Sequence, residues 1–509
     1  MIWRKTRTVL VATSILAAMI VLSCGSKNEP VSPNHFTDSD TLPDDGTVVQ
    51  QNLPPKIDAV TVKFDSVVFS HSDYFSVPTS STLCFTCVSS DSDGDAISTT
   101  WQVDCGTLDR TDSCSVLWTA PGEDATAEMV VTVSDGHQQT GDTLRIGIGK
   151  QRTWTMSYNL GGYEDGQEVL CTPDGGYLTL VSHGGCRLAK IADDGSLVWN
   201  RYYNAGGSFW GRSVVSLSDG GCAIVGGLRT LDGTLMLFDF DLLRLDAEGN
   251  LLWQKVFEGI NAASAYDVVG LPDGGFLVVG STDSYVDGNQ GVCLIRTDSN
   301  GDLLWHKTYP GSRGTSIIAS SDGVYAITGE MGAWCTGSAD AFLLLIDADG
   351  NVIQQKTYGG SGGDLGMSIC ERAGGGYAIA GQSYVSTGGW EGFIVITDNV
   401  GNQIHWNTFG GNSDDLVRSV VLTPDGGFAI AGYTYSFGAG NADAYLVKTD
   451  ETGTVLWQNT FGGTELEEGQ DIVCTPDGGF VIVGRTMSFS EDLCDLYVIK
   501  TDSFGRVSP

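Results

Sequence analysis

Residues 415–461 read DLVRSVVLTPDGGFAIAGYTYSFGAGNADAYLVKTDETGTVLWQNTF. Four apolar-rich β runs alternate here with turn chemistry: 416–423, 428–434, 444–449 and 455–461. The first pair is joined by the tight turn Pro424-Asp425-Gly426-Gly427, the second by a longer glycine-rich loop ending at Asp443, and the third by Asp450-Glu451-Thr452-Gly453. The unit is therefore one antiparallel four-stranded sheet. The same unit recurs along the chain. Its first turn returns at Asp174, Asp219, Asp273, Asp322, a degenerate Gly374, Asp425 and Asp477. The mean period is about 50 residues, too long for most solenoids and suited to four strands per unit.

The second turn recurs as Asp246/Gly249, Asp298/Gly301, Asp347/Gly350, Asp398/Gly401, Asp450/Gly453 and Asp502/Gly505, and a Trp enters the fourth strand at 199, 253, 305 and 457. The Trp is shifted by one at 406 and replaced by Gln354 in one unit. A turn glycine with a Trp four residues on resembles the docking motif of PQQ-type propellers, in which a Trp of the outer strand packs on the next blade. The resemblance covers the repeat region and implies no quinone site. The last unit ends at Val507-Ser508-Pro509, before a fourth strand, and the repeat region opens with an orphan one, Trp154-Thr155-Met156-Ser157-Tyr158. The N-terminal strand is thus expected to complete the last blade. The fold class is all-β: a seven-bladed β-propeller over 150–509, closed near Trp154 and preceded by an Ig/PKD-like β-sandwich. Trp154, Trp199, Trp253, Trp305 and Trp457 are its closure and packing residues.

In such a ring the short, uniform turns lie on one face and the variable loops on the other, which makes the second the candidate binding face. Positions that recur are structural; departures from the repeat are functional candidates. Tyr285, Trp334, Phe437 and Phe489 recur and are read as packing residues. Asp239, Asp340, Glu391, Asp443 and Asp495 precede each third strand and either cap loop amides or hold cations. Phe209 and Trp210 in one loop, and Trp390 with Glu391 in another, break the repeat. They are the candidate ligand platform for a sugar ring or a protein.

Six short β runs fill 53–149. Pro54-Pro55, Asp91-Ser92-Asp93-Gly94-Asp95, Trp101, Trp118-Thr119-Ala120-Pro121 and Val131-Thr132-Val133-Ser134-Asp135-Gly136 together resemble the PKD and related Ig-like sandwiches that bacteria use as surface spacers. Asp91, Asp93 and Asp95 offer oxygens of the kind Ca2+ takes; the competing reading is a tight turn in which the carboxylates accept from backbone amides. Cys84, Cys87, Cys105 and Cys114 do not have zinc-ribbon spacing, so disulfides of undetermined pairing are expected.

At the N-terminus, Arg4, Lys5 and Arg7 precede an apolar stretch over 9–22 and then Ser23-Cys24. This resembles a lipoprotein signal peptide over 1–23, with Cys24 the lipidated first residue of the mature chain and 24–52 a tether. That implies a lipid anchor in the cell envelope, at the outer membrane or cell surface.

The net charge of −35 repels phosphate and excludes nucleic-acid binding through a basic patch. The six histidines are scattered, no nucleophile elbow appears, and arginine is sparse without a repeat-breaking group. The chain is accordingly expected to be a monomeric, non-catalytic envelope lipoprotein that binds a glycan, a protein or an envelope component. No cofactor is called for, Ca2+ excepted. The alternative is an exported hydrolase or lyase acting on polysaccharide. A cluster of repeat-breaking Arg, Tyr, His or carboxylate groups around the central channel would favour that enzyme.

Overall fold

Alternating apolar residues bounded by glycine turns leave this chain little choice but sheets, and the computed structural model is all-β in its described residues. Those are residues 53–507, apart from 65–66, 71–73, 78–79, 123–124, 149–152, 183–184, 205–207, 233–234, 258–261, 286–288, 333–338, 386–388 and 491–492. The signal peptide, Cys24, the tether and Trp334 lie outside them. Among the described residues no helix is long and apolar enough to cross a membrane.

Residues 56–148 form two sheets around one core. The five-stranded sheet runs in the order Val67–Ser70, Lys56–Phe64, Thr82–Ser90, Ser115–Thr119, Thr107–Leu108. The four-stranded sheet runs Tyr74–Val77, Gln139–Ile148, Ala125–Ser134, Ser98–Val103, with its first pair parallel. Trp101 and Trp118 lie in the core with Phe85, Val131 and Ile146. Each indole finds a carbonyl for its N–H, Ser113 at 2.8 Å and Cys105 at 3.0 Å, as a buried Trp must.

The eleven described cysteines are free thiols, so the disulfides expected at 84, 87, 105 and 114 are not formed here. Cys84 and Cys87, three apart on one strand, point to opposite faces. Cys87 instead stands directly opposite Cys114, its N–H donating to the Cys114 carbonyl at 2.8 Å. Such opposed pairs have Cα atoms about 5.5 Å apart, within disulfide range. Exposure to a dithiol oxidant is expected to join these two and leave Cys84 and Cys105 alkylatable. Peptide mapping checks this, and a cross-link involving Cys84 would contradict the register.

From 154 onward the fold is a propeller-type repeat: seven successive four-stranded antiparallel sheets. Six are continuous in sequence, sheets I to VI at 165–203, 208–257, 262–309, 313–358, 364–409 and 415–461. Sheet VII combines three strands within 467–501 with Trp154–Tyr158, which pairs antiparallel to Asp495–Thr501 with Trp154 opposite Lys500. The first strands of the sheets are Asp165–Cys171, Ser208–Ser216, Ala262–Gly270, Arg313–Ala319, Asp364–Glu371, Asp415–Leu422 and Glu467–Cys474. They form the innermost layer, each touching the next and the seventh touching the first.

A belt of hydrogen bonds crosses every junction of that layer. Glu168 accepts from the Val214 amide at 2.8 Å, and Asp267 from the Ser213 hydroxyl at 2.8 Å and the Ile317 amide at 2.9 Å. The Thr315 hydroxyl donates to the Gly366 carbonyl at 2.8 Å, and Ser368 accepts from the Val420 amide at 3.1 Å. Asp471 then accepts from the Ser419 hydroxyl at 2.6 Å and from the Val169 amide at 3.0 Å, returning to sheet I.

The outer seam follows the tryptophans. The rings of Trp199, Trp253, Trp305 and Trp457 lie against the turn glycines Gly249, Gly301, Gly350 and Gly505 of the following sheet, where any Cβ would collide. Trp154 does the same to Gly195 of sheet I and donates its N–H to the Asp193 carbonyl at 3.0 Å. Trp406, one place out of register, instead stacks on Phe393 of its own sheet at 4.5 Å.

A pairing that the sequence reading missed recurs on the third strands: Lys190, Arg244, Arg296, Lys448 and Lys500 each grip the Asp of the Asp-Gly-Gly turn in their sheet. In sheet V the third strand has no such cation. There Arg372, at the turn just after the first strand, donates to the Thr397 carbonyl at 2.9 Å.

Candidate functional site

The proposed aromatic platform does not exist as expected. Phe209 is fully buried in the core between sheets I and II. Neither Trp210 nor Trp390 sits on a free loop; both lie in strands and are half-buried. The variable-face hairpins continue as paired β-structure beyond the points where the sequence suggests loops, which draws these rings onto the sheets. Trp390 packs edge-on against Tyr384 at 5.4 Å, and its amide donates to Asp414 at 2.8 Å, so it braces the next sheet's loop. Glu391 stands half-buried beside it, opposite Ser383.

Of the acids before the third strands, Asp443 is a loop cap. Asp443 accepts from the Ala439 and Gly440 amides at 3.1 and 3.3 Å. Asp91 likewise closes its own turn, accepting from the Asp93 and Asp95 amides at 2.9 and 3.2 Å around Gly94 at φ 83°. No group of three His, Cys, Asp or Glu side chains with metal-binding geometry occurs among the described residues.

What the structure does assemble is a ring of repeat-breaking residues around the axis. Every first strand carries a β-bulge at the same height. The residues displaced from the ladder are Gln167, Arg212, Tyr266, Thr315, Met367, Arg418 and Gln470. All seven are partly or fully exposed, and their flanking neighbours are mostly buried. A bulge re-aims a side chain without breaking the sheet, so the scaffold can vary this position freely. In six sheets a glycine of the second strand faces the bulge: Gly226, Gly280, Gly329, Gly381, Gly432 and Gly484. A side chain there would strike the first-strand carbonyl just before the bulge.

Four arginines converge on this ring, which corrects the expectation that arginine forms no repeat-breaking group. Arg418 donates to the Tyr433 hydroxyl at 3.0 Å, and Glu468 faces the same tyrosine from sheet VII. Arg485 pairs with Glu468 at 2.6 Å and also donates to the Tyr163 hydroxyl. Asp165 lies next, facing Arg485, Glu468, Gln167 and Arg212. Burial pushes its carboxyl up to about 6, against the pull of Arg485. Arg212 reaches Gln167 at 3.4 Å. Arg313 lies over the Tyr266 ring at 5.7 Å and pairs with Glu330 at 3.0 Å. Sheets VI, VII, I and II thus share one continuous polar arc, with a second Arg–Tyr–Glu group on sheets III and IV. Tyr163 and Tyr433 are both raised by burial, more than their arginines lower them. Neither is an ionised nucleophile or base at neutral pH.

A separate departure from the repeat is structural. Asp241 holds a third-strand position taken by Cys293 in sheet III and Phe342 in sheet IV, and is 1% exposed. Its Oδ2 accepts from Gln254 at 2.7 Å, whereas Oδ1 is buried without a hydrogen-bond partner among the described residues. The Cys186 thiol of sheet I is the other titratable group that senses it. Burial raises the carboxyl to about 7. A raised acid binds its proton more tightly in the folded chain, so the contribution of Asp241 to stability is greatest at acidic pH and is lost as pH climbs through about 7. Asp241→Asn is expected to stabilise the protein by about 3 kcal/mol at pH 8 and hardly at all at pH 4. Chemical denaturation at both pH values checks this; equal effects would show that the carboxyl is not the source.

No family model matches the chain, and no curated protein matches it. Among solved structures, a protein of unknown function from Bacteroides caccae is similar at 16% identity over 56% of this chain and 94% of its own, with a TM-score of 0.36. A quinoprotein alcohol dehydrogenase-like protein from Bacteroides thetaiotaomicron is similar at 10% identity over 77% of this chain and 94% of its own, with a TM-score of 0.33. A nucleoside hydrolase-related hypothetical protein from Saccharophagus degradans, associated with carbohydrate metabolism, matches 19% of this chain and 26% of its own at 17% identity, with a TM-score of 0.16. Likenesses this distant carry no functional argument, and the reading below rests on the residues themselves.

Proposed function

We propose that the chain is a non-catalytic envelope lipoprotein. In this reading Cys24 carries the lipid, 24–52 is the tether, 53–149 is an Ig/PKD-like spacer, and 150–509 is a monomeric seven-bladed propeller that presents a binding site at its channel mouth on the cell surface or outer membrane. The observation that carries the reading is the ring of bulged residues: the scaffold repeats seven times, and at this height its exposed side chains vary in chemistry between sheets. The closed hydrogen-bond belt supports seven blades, and the shared core of the two N-terminal sheets supports the spacer. Ca2+ at Asp91, Asp93 and Asp95 is not part of the proposal, since Asp91 closes the turn and Asp93 accepts from the Leu53 amide at 2.6 Å.

The channel cluster is also the feature that would favour a polysaccharide hydrolase or lyase. Against that reading, no histidine belongs to the ring, and the tyrosines are driven away from ionisation. Two experiments test the proposal. Cys24→Ala should move the protein from the membrane fraction to the soluble one; continued sedimentation with membranes contradicts the anchor. A glycan array probed with the purified full-length protein should give binding without release of shortened or unsaturated products; turnover would establish the enzyme instead.

A further inference from the structure

We infer that the arginine arc at the channel mouth is a receptor for a carboxylate-bearing sugar, a uronic acid unit within a short oligosaccharide. The inference rests on the binding-module reading and names its ligand. The chain has 27 basic residues against 62 acidic ones. Five of its cations are spent on Asp-Gly-Gly turns, as described above. Arg212 and Arg418 have no such duty: the same bulge position takes Gln, Tyr, Thr or Met in the other sheets and folds equally well. Their described hydrogen bonds go to neutral groups, Gln167 and the Tyr433 hydroxyl.

Donors are moreover left over. The Nε of Arg418 and that of Arg485 are buried and have no hydrogen-bond acceptor among the described residues. A buried donor without an acceptor is costly and rare in a finished site, and a planar guanidinium matches a carboxylate oxygen pair. Gln167, Gln470 and Thr315 on neighbouring bulges supply the amide and hydroxyl groups that sugar hydroxyls need.

The charge balance selects the anion. Glu330 and Glu468 already occupy Arg313 and Arg485, so of the four only Arg212 and Arg418 make no ion pair among the described residues. The belt acids Glu168, Asp267 and Asp471 adjoin the bulges, and a multiply charged anion such as a phosphate dianion is disfavoured beside these acids. A densely charged polymer would be repelled by the chain's net −35. A monovalent carboxylate on an otherwise neutral, hydroxylated ring fits both limits.

The test is calorimetric titration of the full-length protein with an aldotriouronic acid carrying a single glucuronate, its methyl ester and the neutral xylotriose. The acid is expected to bind at least about tenfold more tightly than the ester, as loss of one charge-assisted contact implies. Arg418→Gln and Arg212→Gln should each weaken the acid by a similar factor while leaving the melting temperature unchanged, since Gln is already present at this position in sheets I and VII. Equal binding of acid and ester would overturn the carboxylate inference and leave the binding module standing. Failure of the folded protein to bind the acid would also overturn it, and the glycan array then decides the broader reading separately. Tight acid binding that survives both substitutions would place the receptor elsewhere and overturn the assignment.

Discussion

Removing residues 153–162 is expected to cost at least about 5 kcal/mol and to cause aggregation. The segment holds the strand Trp154–Tyr158, which supplies the outer edge of sheet VII. Trp154 is 8% exposed and packs on Tyr177 and Gly195 of sheet I. Truncating a buried Trp alone costs about 3–5 kcal/mol. Its strand mate Tyr158 adds a hydrogen bond to the Gly195 carbonyl at 2.6 Å. Deletion strips both contacts and leaves Asp495–Thr501 as a bare edge that invites pairing between molecules. Thermal melts combined with size-exclusion chromatography read the outcome. A truncated protein that melts with the intact one and stays monomeric would mean that the seam contributes nothing.

Gly432→Ala is the second large effect. The added methyl would lie 1.9 Å from the Leu416 carbonyl oxygen, and that oxygen belongs to the backbone just before the bulge at Arg418. Neither strand can yield without shifting the hydrogen-bonded ladder on one side or the belt on the other. Overpacking typically costs about 1–3 kcal/mol when side chains can move; here only backbone can, so about 3 kcal/mol or more is expected. Gly360→Ala is the control, because that glycine has open space around it and ordinary backbone angles. It should change stability by no more than about 0.5 kcal/mol. Equal melts for the two variants would show that the bulge is plastic.

The repeat was readable because each unit carries its own punctuation. The Asp-Gly-Gly and Asp-x-x-Gly turns mark every hairpin locally, and the incomplete last unit announced the strand exchange at Trp154. The proposed binding site was harder to read. Trp210 and Trp390 broke the pattern, but large aromatics break patterns equally well when filling space between sheets, and pattern alone cannot tell these cases apart. Phe209 was the clearest failure: its burial comes from sheet I, about forty residues upstream. The channel residues left only a faint signal. A bulge inserts one residue without changing the apolar alternation that follows, so Arg212 and Arg418 look like ordinary exposed strand positions. The visible clue was the glycine in six of the second strands, which is intelligible only once the opposing carbonyl is known. The arc itself joins Arg485, Tyr163 and Arg212 across the ring closure, a proximity that exists only when both ends of the repeat meet.

That closure also bears on how the protein is made. The first strand of the ring to leave the ribosome has no partner until the last sheet exists, because Trp154 pairs with Lys500. Closing so long a loop carries a large entropic cost and makes completion late. A chain interrupted before about residue 500 therefore retains an unpaired edge and a loose Trp, which are features that proteases and holdase chaperones engage. The stitched seam acts as a check on assembly: only a chain that has reached its last sheet can cover the first strand of its ring.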